Sequence, residues 1–302
     1  MNDRVTPLVS VVIPNYNHAR YLGRALQSLL DQTYTNWEAI IIDNHSTDNT
    51  DEVISSFTSP QISYLKIHNN GVIAKSRNAG IRAANGEWIA FLDSDDWWTS
   101  DKLQVCFDYI NEKVDLVYHD MQIITDNPQP FSRKIIKSWQ VSPPVLIDLL
   151  LKGNAIANSS VVVRKSLLEQ IGGINECVEM KASEDYNTWL RIAQLSEQFV
   201  YLQHRLGYYL KHNHSISQKD MSIPMRHAVA ELSSALRESH KLKLEANLRF
   251  ASLQFNYLTF KYSKIKLDLM FVLCHGSVAK RIKTLILLMK IIFNRFSHDN
   301  NQ

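Results

Sequence analysis

Cysteine is scarce: the 302-residue chain has three, Cys106, Cys177 and Cys274, odd in number and far apart. They form neither a disulfide framework nor a zinc-ligand spacing, and they fit a reducing, cytoplasmic setting. Long apolar runs are missing too. TLILLMKIIF (284–293) is the longest near the C-terminus, and Lys290 interrupts it well short of a bilayer span. The apolar run at the N-terminus is too short for a secretion signal and meets Pro14. There is no internal repeat and no low-complexity tract. Neither sign of charge dominates, the net being +3, and no nucleic-acid partner is expected. What remains is 45% hydrophobic and 21% charged, the balance of an ordinary folded soluble protein of one large or two smaller domains.

The charge is unevenly placed. Residues 241–296 carry 11 Lys/Arg against 2 Asp/Glu, a net +9, and the rest carries 22 against 28, a net −6. A mildly acidic body, residues 1–220, with a basic C-terminal region, residues 221–302, is therefore expected.

The first hundred residues alternate between two patterns. LVSVVI (8–13), WEAIIID (37–43), ISYLKI (62–67) and EWIAFLD (87–93) read as strands, the first two as continuously buried ones. ARYLGRALQSLLDQ (19–32) and IAKSRNAGIRAA (73–84) have helical spacing, and Ser46 or Thr47 can cap a helix through Val53 and Ile54. Such alternation predicts an α/β fold with a mostly parallel central sheet flanked by helices. Further on, 103–110 reads as helix, 114–124 as extended, and 126–144, with four of the eight prolines, as surface loop. SSVVVRK (159–165) reads as a strand and EDYNTWLRIAQL (184–195) as a helix capped by Ser183. Residues 222–296 have helical patterns nearly throughout.

Ligands of open parallel sheets bind beyond the carboxyl ends of the strands. Three polar clusters fall there: PNYNH (14–18), DNHSTD (43–48) and DSDD (93–96). Each alone is ordinary turn chemistry, but three on one rim favour a site. Asp93 and Asp95, one residue apart, can converge on one hard cation such as Mg2+ or Mn2+, and such ions bridge substrate phosphates. Three crowded carboxylates, Asp93, Asp95 and Asp96, need that kind of compensation.

With these motifs in order, the chain resembles the inverting glycosyltransferases of family 2, of GT-A fold. The matching segments are VSVVIPNYNHARYLGRALQSLLDQTY, WEAIIIDNHSTDNT, GVIAKSRNAGIRAANGEWIAFLDSDD, IGGINE, SEDYNTWLRIA and YLKHNHSIS, covering roughly residues 8–217. The resemblance implies a Rossmann-like GT-A catalytic domain with a helical C-terminal region. It places Pro14, Tyr16 and Asn17 about the nucleoside, with Asp43 and Asn44 closing that pocket. Arg77 and Asn78 approach the donor. Asp93, Ser94 and Asp95 hold its diphosphate through Mn2+ or Mg2+, with His212 near that metal. It makes Asp185 the catalytic base. Two departures stand out. Asn44 replaces a frequent carboxylate, leaving an amide oxygen to accept from uracil N3–H, and Trp97–Trp98 follows the metal motif, either walling the sugar pocket or packing on the next loop.

The implied reaction moves a hexosyl or N-acetylhexosaminyl group from a nucleoside-diphosphate sugar, UDP first, to a glycan or lipid-linked glycan hydroxyl in cell-surface polysaccharide assembly. A plainer account exists for some residues: Glu184 and Asp185 suit a helix start on dipole grounds alone, and His212 has His214 as a neighbour. A nucleotidyltransferase would want a glycine- and lysine-rich phosphate loop after the first strand, which PNYNHARYLG lacks. A non-catalytic sugar-nucleotide-binding or scaffold protein would not need Asp93, Asp95 and Asp185 together. In RIKTLILLMKIIFNRF (281–296) apolar residues recur at helical spacing among basic ones. Such a helix over 280–296 either lies on an anionic membrane surface, making the protein peripheral on the inner face of the cell membrane, or packs on the catalytic domain or a second subunit.

Overall fold

The computed structural model describes residues 6–125, 134–212, 220–234, 236–259 and 265–299, with side chains as far as 291. The N-terminal alternation is present: β1 (Val9–Asn15), α1 (Ala19–Leu30), β2 (Trp37–Asp43), α2 (Thr50–Ser55), β3 (Ile62–Lys66), α3 (Ile73–Ala83) and β4 (Trp88–Phe91). These four strands are parallel and lie in the order β3-β2-β1-β4. Every residue of β1 is buried, as a central strand covered on both faces requires. Side chains alternate between faces. Val11, Ile13 and Ile41 meet Leu22, Leu26 and Leu29 of α1 on one side. Val12, Ile40 and Ile42 meet Ala74 and Ile81 of α3 on the other. Gly80 permits the close approach of α3, because a Cβ there would stand 2.4 Å from Val12 Cγ1.

Beyond β4 the sheet becomes mixed. Its elements are β5 (Trp97–Trp98), α4 (Lys102–Tyr109), β6 (Leu116–Thr125), β7 (Ile135–Ile136), α5 (Val145–Lys152), β8 (Val162–Arg164), α6 (Lys165–Gln170), α7 (Glu184–Ile192) and β9 (Phe199–Lys211). The order continues β4-β8-β6-β9-β5 with β7 on β6. β8 runs antiparallel to β4 and β6, and β9 runs parallel to β6 and antiparallel to β5. The expected strand at 159–165 divides into a 3-10 turn, Asn158–Ser160, and β8. α2 begins at Thr50, not at Ser46 or Thr47, because Asp48 Oδ1 accepts from the Thr50 N–H and hydroxyl while Ser46 is held by Asp43. Of the predicted 126–144 loop, residues 126–133 lie outside the described residues.

The C-terminal region is helical as expected: α8 (Ser222–Val229), α9 (Glu238–Leu258), α10 (Ile265–His275) and α11 (Val278–Asp299). Ala228, Val229, Leu244 and Leu248 join the main core, and Asn247 Nδ2 donates to Leu151 O. Phe250, Leu253, Ile265, Leu269, Val272 and Ile291 form a separate cluster. Among the described residues no helix is long and apolar enough to cross a membrane.

Candidate active site

β1, β2 and β4 end on one rim, since Asn15 pairs with Asp43 and Val12 with Phe91 in register. The rim opens into a cleft of about 640 Å³. Of the residues expected in a site, Pro14, Tyr16, Asn44, Arg77, Asp93, Ser94, Asp95, Asp185 and His212 line it. Asn17, Asp43 and Asn78 stand behind the wall and shape it. Asp43 is fully buried and accepts from Asn15 Nδ2, Ser46 N and the Ser46 hydroxyl at 2.5–2.9 Å. Asn17, at φ 52°, accepts from Thr47 N–H and fastens the first rim loop to the second. Asn78 Nδ2 donates to Ile174 O, its Oδ1 accepts from Ile174 N–H, and Gly173 at φ +82° leaves the room this needs. Asn44 Oδ1 accepts from Asn69 N–H at 2.8 Å, so the amide oxygen assigned to uracil is already bracing the loop after β3. Tyr16 is half exposed on the cleft wall.

The crowded aspartates are resolved one by one. Asp93 Oδ1 accepts from Arg77 Nη2 at 2.8 Å and Asn158 Nδ2 at 3.1 Å, and its N–H donates to Ser159 Oγ. Asp95 Oδ2 lies 3.0 Å from His212 Nε2. Asp96 is buried and accepts from Leu210 N–H. Burial first, then the charges of Asp95 and Asp93, push its carboxyl well above the usual carboxylate range. The two-stranded pairing of Trp97 with Tyr208 and Trp98 with Gly207 brings the 93–96 loop against the end of β9. Trp97 and Trp98 therefore pack rather than wall the sugar pocket. Arg24 lies over Trp97 at 3.4 Å and the buried Lys102 Nζ over Trp98 at 3.6 Å, while Trp98 Nε1 donates to Ser159 O.

Arg77 is the hinge of the site. It is almost wholly buried, and its second nitrogen, Nη1, donates to Glu184 Oε1 at 2.6 Å. Burial works against its charge, but Asp93 and Glu184 outweigh that and hold the guanidinium protonated beyond its ordinary range. Glu184 and Asp185 open α7, which Tyr186, Trp189 and Leu190 anchor in the core. The Ser183 side chain makes no capping hydrogen bond. Instead Asp185 Oδ1 accepts from Tyr186 N–H and its Oδ2 from Asn154 Nδ2. Burial, and then the neighbouring Glu184 carboxylate, push Asp185 up to about 7, against the pull of Arg77. A carboxylate so poised, lining a cleft, can take a proton near neutral pH.

Sequence reasoning gave no individual site role to His18, Asn15, Asn158, Ser159, Lys181, Glu184 and Tyr209, all on the cleft wall. His18 lay within the PNYNH cluster and could have been found there; its Nδ1 is 2.9 Å from Ser94 Oγ, and its ring is edge-on to His212. Glu184 lay beside Asp185. Asn158, Ser159 and Tyr209 carry no such signal, since mixed-sheet pairing alone brings them in. His214 lies outside the described residues.

As to a divalent cation, no group of three or more His, Cys, Asp or Glu among the described residues is arranged to hold one unaided. Asp95 and His212, already in contact, supply an oxygen and a nitrogen donor of the type Mn2+ accepts. Ions of this kind commonly take only one or two protein carboxylates and complete their shell with substrate phosphates and water. The donor set therefore fits a metal that arrives with a diphosphate.

An α/β sheet, parallel then mixed, with a cleft at the parallel strand ends and a helical C-terminal region, is the GT-A architecture. The glycosyl transferase family 2 profile matches residues 10–172, and the chain belongs to that family. It is 31% identical, over 78% of its length and 90% of theirs, to the Escherichia coli UDP-Glc:alpha-D-GlcNAc-diphosphoundecaprenol beta-1,3-glucosyltransferase WfaP. It is 29% identical, over 70% of its length and 82% of theirs, to the putative teichuronic acid biosynthesis glycosyltransferase TuaG of Bacillus subtilis. Two solved structures share the fold. S. aureus TarS 1-349 in complex with UDP-GlcNAc has a TM-score of 0.64 at 21% identity, covering 89% of this chain and 82% of that one. The Pyrobaculum calidifontis mannosyltransferase PcManGT with GDP-Man and Mn2+ has 0.63 at 17%, covering 98% and 83%.

Proposed function

We propose that this family 2 glycosyltransferase moves a sugar from a nucleoside-diphosphate sugar, UDP-linked in the first instance, to a hydroxyl of a glycan or lipid-linked glycan, with inversion. The pathway is cell-surface polysaccharide biosynthesis, and the work is done at the cytoplasmic face of the membrane. Residues 1–220 carry the chemistry, with α8 and α9 completing their core. The observation that carries the proposal is Asp185, raised to about 7, lining the same cleft as the Asp95–His212 pair. The names of the relatives, which include lipid-diphosphate-linked acceptors and teichuronic acid, support the acceptor class.

Tyr16 and the loops braced by Asp43, Asn17 and Asn44 hold the nucleoside. Arg77 keeps Asp93 oriented at the diphosphate end. Mn2+ or Mg2+, held by Asp95 and His212 with Asp93 beside them, would offset negative charge on the departing diphosphate. Asp185 takes the acceptor hydroxyl proton as that oxygen bonds to the anomeric carbon, and the bond from that carbon to the diphosphate oxygen breaks on the opposite side. The nucleoside diphosphate leaves with the bonding pair. One base and one leaving group give a single displacement and no glycosyl-enzyme. The test is a panel of UDP-, GDP- and dTDP-sugars with and without Mn2+, read by thermal shift and nucleotide release. A Mn2+-dependent response to one donor is expected, and Asp95→Asn should lose it. Donor binding without any turnover, by hydrolysis or transfer, would instead fit a non-catalytic sugar-nucleotide-binding protein.

A further inference from the structure

α11 is apolar on two opposite faces, and only one of them is covered. Successive residues of a helix are about 100° apart. Thr284, Leu287, Leu288 and Ile291 fall on one side, where Ile291 is buried and Leu287 and Leu288 pack on the separate C-terminal cluster. Lys280 also turns inward, where its Nζ meets Asn247 Oδ1 and burial lowers it to about 8. On the far side Val278, Ile282, Leu285, Ile286 and Met289 make a continuous stripe, each 43–73% exposed. That spacing, i, i+4, i+7, i+8, i+11, is a single helical face. Exposed cations flank it: Lys283 and Lys290 along one edge and Arg281 along the other. Arg281 is fixed in place by donating to Gly276 O and Cys274 O. α10 also leaves Leu267 and Met270 exposed. Its one carboxylate, Asp268, is taken up by Arg249.

From this pattern we infer that the outer face of α11 is a docking surface for an anionic lipid bilayer. An apolar stripe edged by cations is the arrangement that lies in the headgroup plane, burying the stripe in the acyl boundary and placing the cations among anionic headgroups. A second copy of this chain is the less fitting occupant, because an isologous contact would bring Arg281, Lys283 and Lys290 against their own copies. The inference deepens the proposed function: if the acceptor is lipid-linked, docking through α11 brings the enzyme to the surface that presents it. The docking itself requires neither donor nor acceptor, so it is tested apart from transfer.

The test is co-sedimentation of the full chain with vesicles of phosphatidylglycerol and phosphatidylcholine, or of phosphatidylcholine alone, at low and high salt. Pelleting with the anionic vesicles at low salt is expected, weakened at least ~10-fold by high salt or by leaving out the anionic lipid. Leu285→Glu with Met289→Glu should cut binding by at least ~10-fold, and Lys283→Glu with Lys290→Glu, which spares the stripe, should remove the preference for anionic lipid. All four positions are exposed, and circular dichroism checks the fold. Failure of the wild type to pellet at low salt overturns the inference, as does undiminished pelleting of the Leu285/Met289 variant. So does a wild-type dimer that this variant turns to monomer without any vesicle binding. Vesicle binding in a protein that transfers no sugar would sink the proposed function and leave the docking standing.

Discussion

The two sides of the cleft are built differently. The rim side comes from the ends of parallel strands, and its polar groups brace one another in hydrogen bonds, Asp43 with Ser46 and Asn15, Asn17 with Thr47, Asn44 with Asn69, with Asn15 Oδ1 alone among them buried without a protein partner. The reacting side comes from the mixed sheet and α7, and it is charged where it meets the first. Arg77 reaches across to Glu184, Asp95 to His212, and Asp96 to the backbone of β9. One buried atom on each side of the Arg77–Glu184 pair, Nε and Oε2, has no protein partner. A half whose loops brace one another suits recognition of a constant nucleotide. A seam of poised charge suits a reaction in which charge moves.

The seam should therefore be the weak point when broken. Arg77→Met leaves Glu184 buried and uncompensated. We expect a loss of about 3–5 kcal/mol in urea unfolding, the range for removing one partner of a buried pair. A loss under about 1 kcal/mol would mean that water already serves the carboxylates. In the parallel half, Gly80→Ala drives a Cβ to 2.4 Å from Val12 Cγ1 and should cost about 1–3 kcal/mol, as overpacking does. It should leave the pH behaviour of catalysis unchanged, which separates packing from the seam. The smallest effect is expected for Asp96→Asn. Asn keeps an oxygen for the Leu210 N–H, so stability near pH 4 should change by less than about 1 kcal/mol. The folded wild type keeps the Asp96 proton after the unfolded chain has released it. As pH rises above the ordinary carboxylate range, this group therefore makes the wild type lose stability, and Asn removes that loss. Parallel pH–stability curves for the two proteins would show that Asp96 ionises in the fold.

Legibility follows the same division. The four parallel strands and the rim residues Pro14, Tyr16, Asn44 and Asp93–Asp95 were plain in the sequence, because a covered parallel strand is a continuous apolar run and its end is a polar turn. Asp185 and His212 came from the resemblance alone. β9 was not predicted: Gln203, His204 and Arg205 are exposed where its register shifts against β6, between His119 and Met121, and that irregularity breaks the strand period. α5 and α6 are short helices that lean on tertiary contacts. Nothing local told that Trp97 and Trp98 would pair with β9, yet that pairing sets Asp95 beside His212. The outer stripe of α11 was legible as an amphipathic period; that its opposite face was covered was not.

The central claim is that Asp185 takes the acceptor proton. Burial and Glu184 raise it to about 7, and a base must be unprotonated to act. The wild-type kcat/KM for transfer should therefore fall about tenfold per pH unit below that value and level off above it. Asp185→Asn should lower transfer by at least ~10²-fold, abolish the acid limb and leave donor affinity intact. A wild-type profile flat from pH 5 to 8, or an acid limb that survives in Asp185→Asn with near-normal rates, would contradict it.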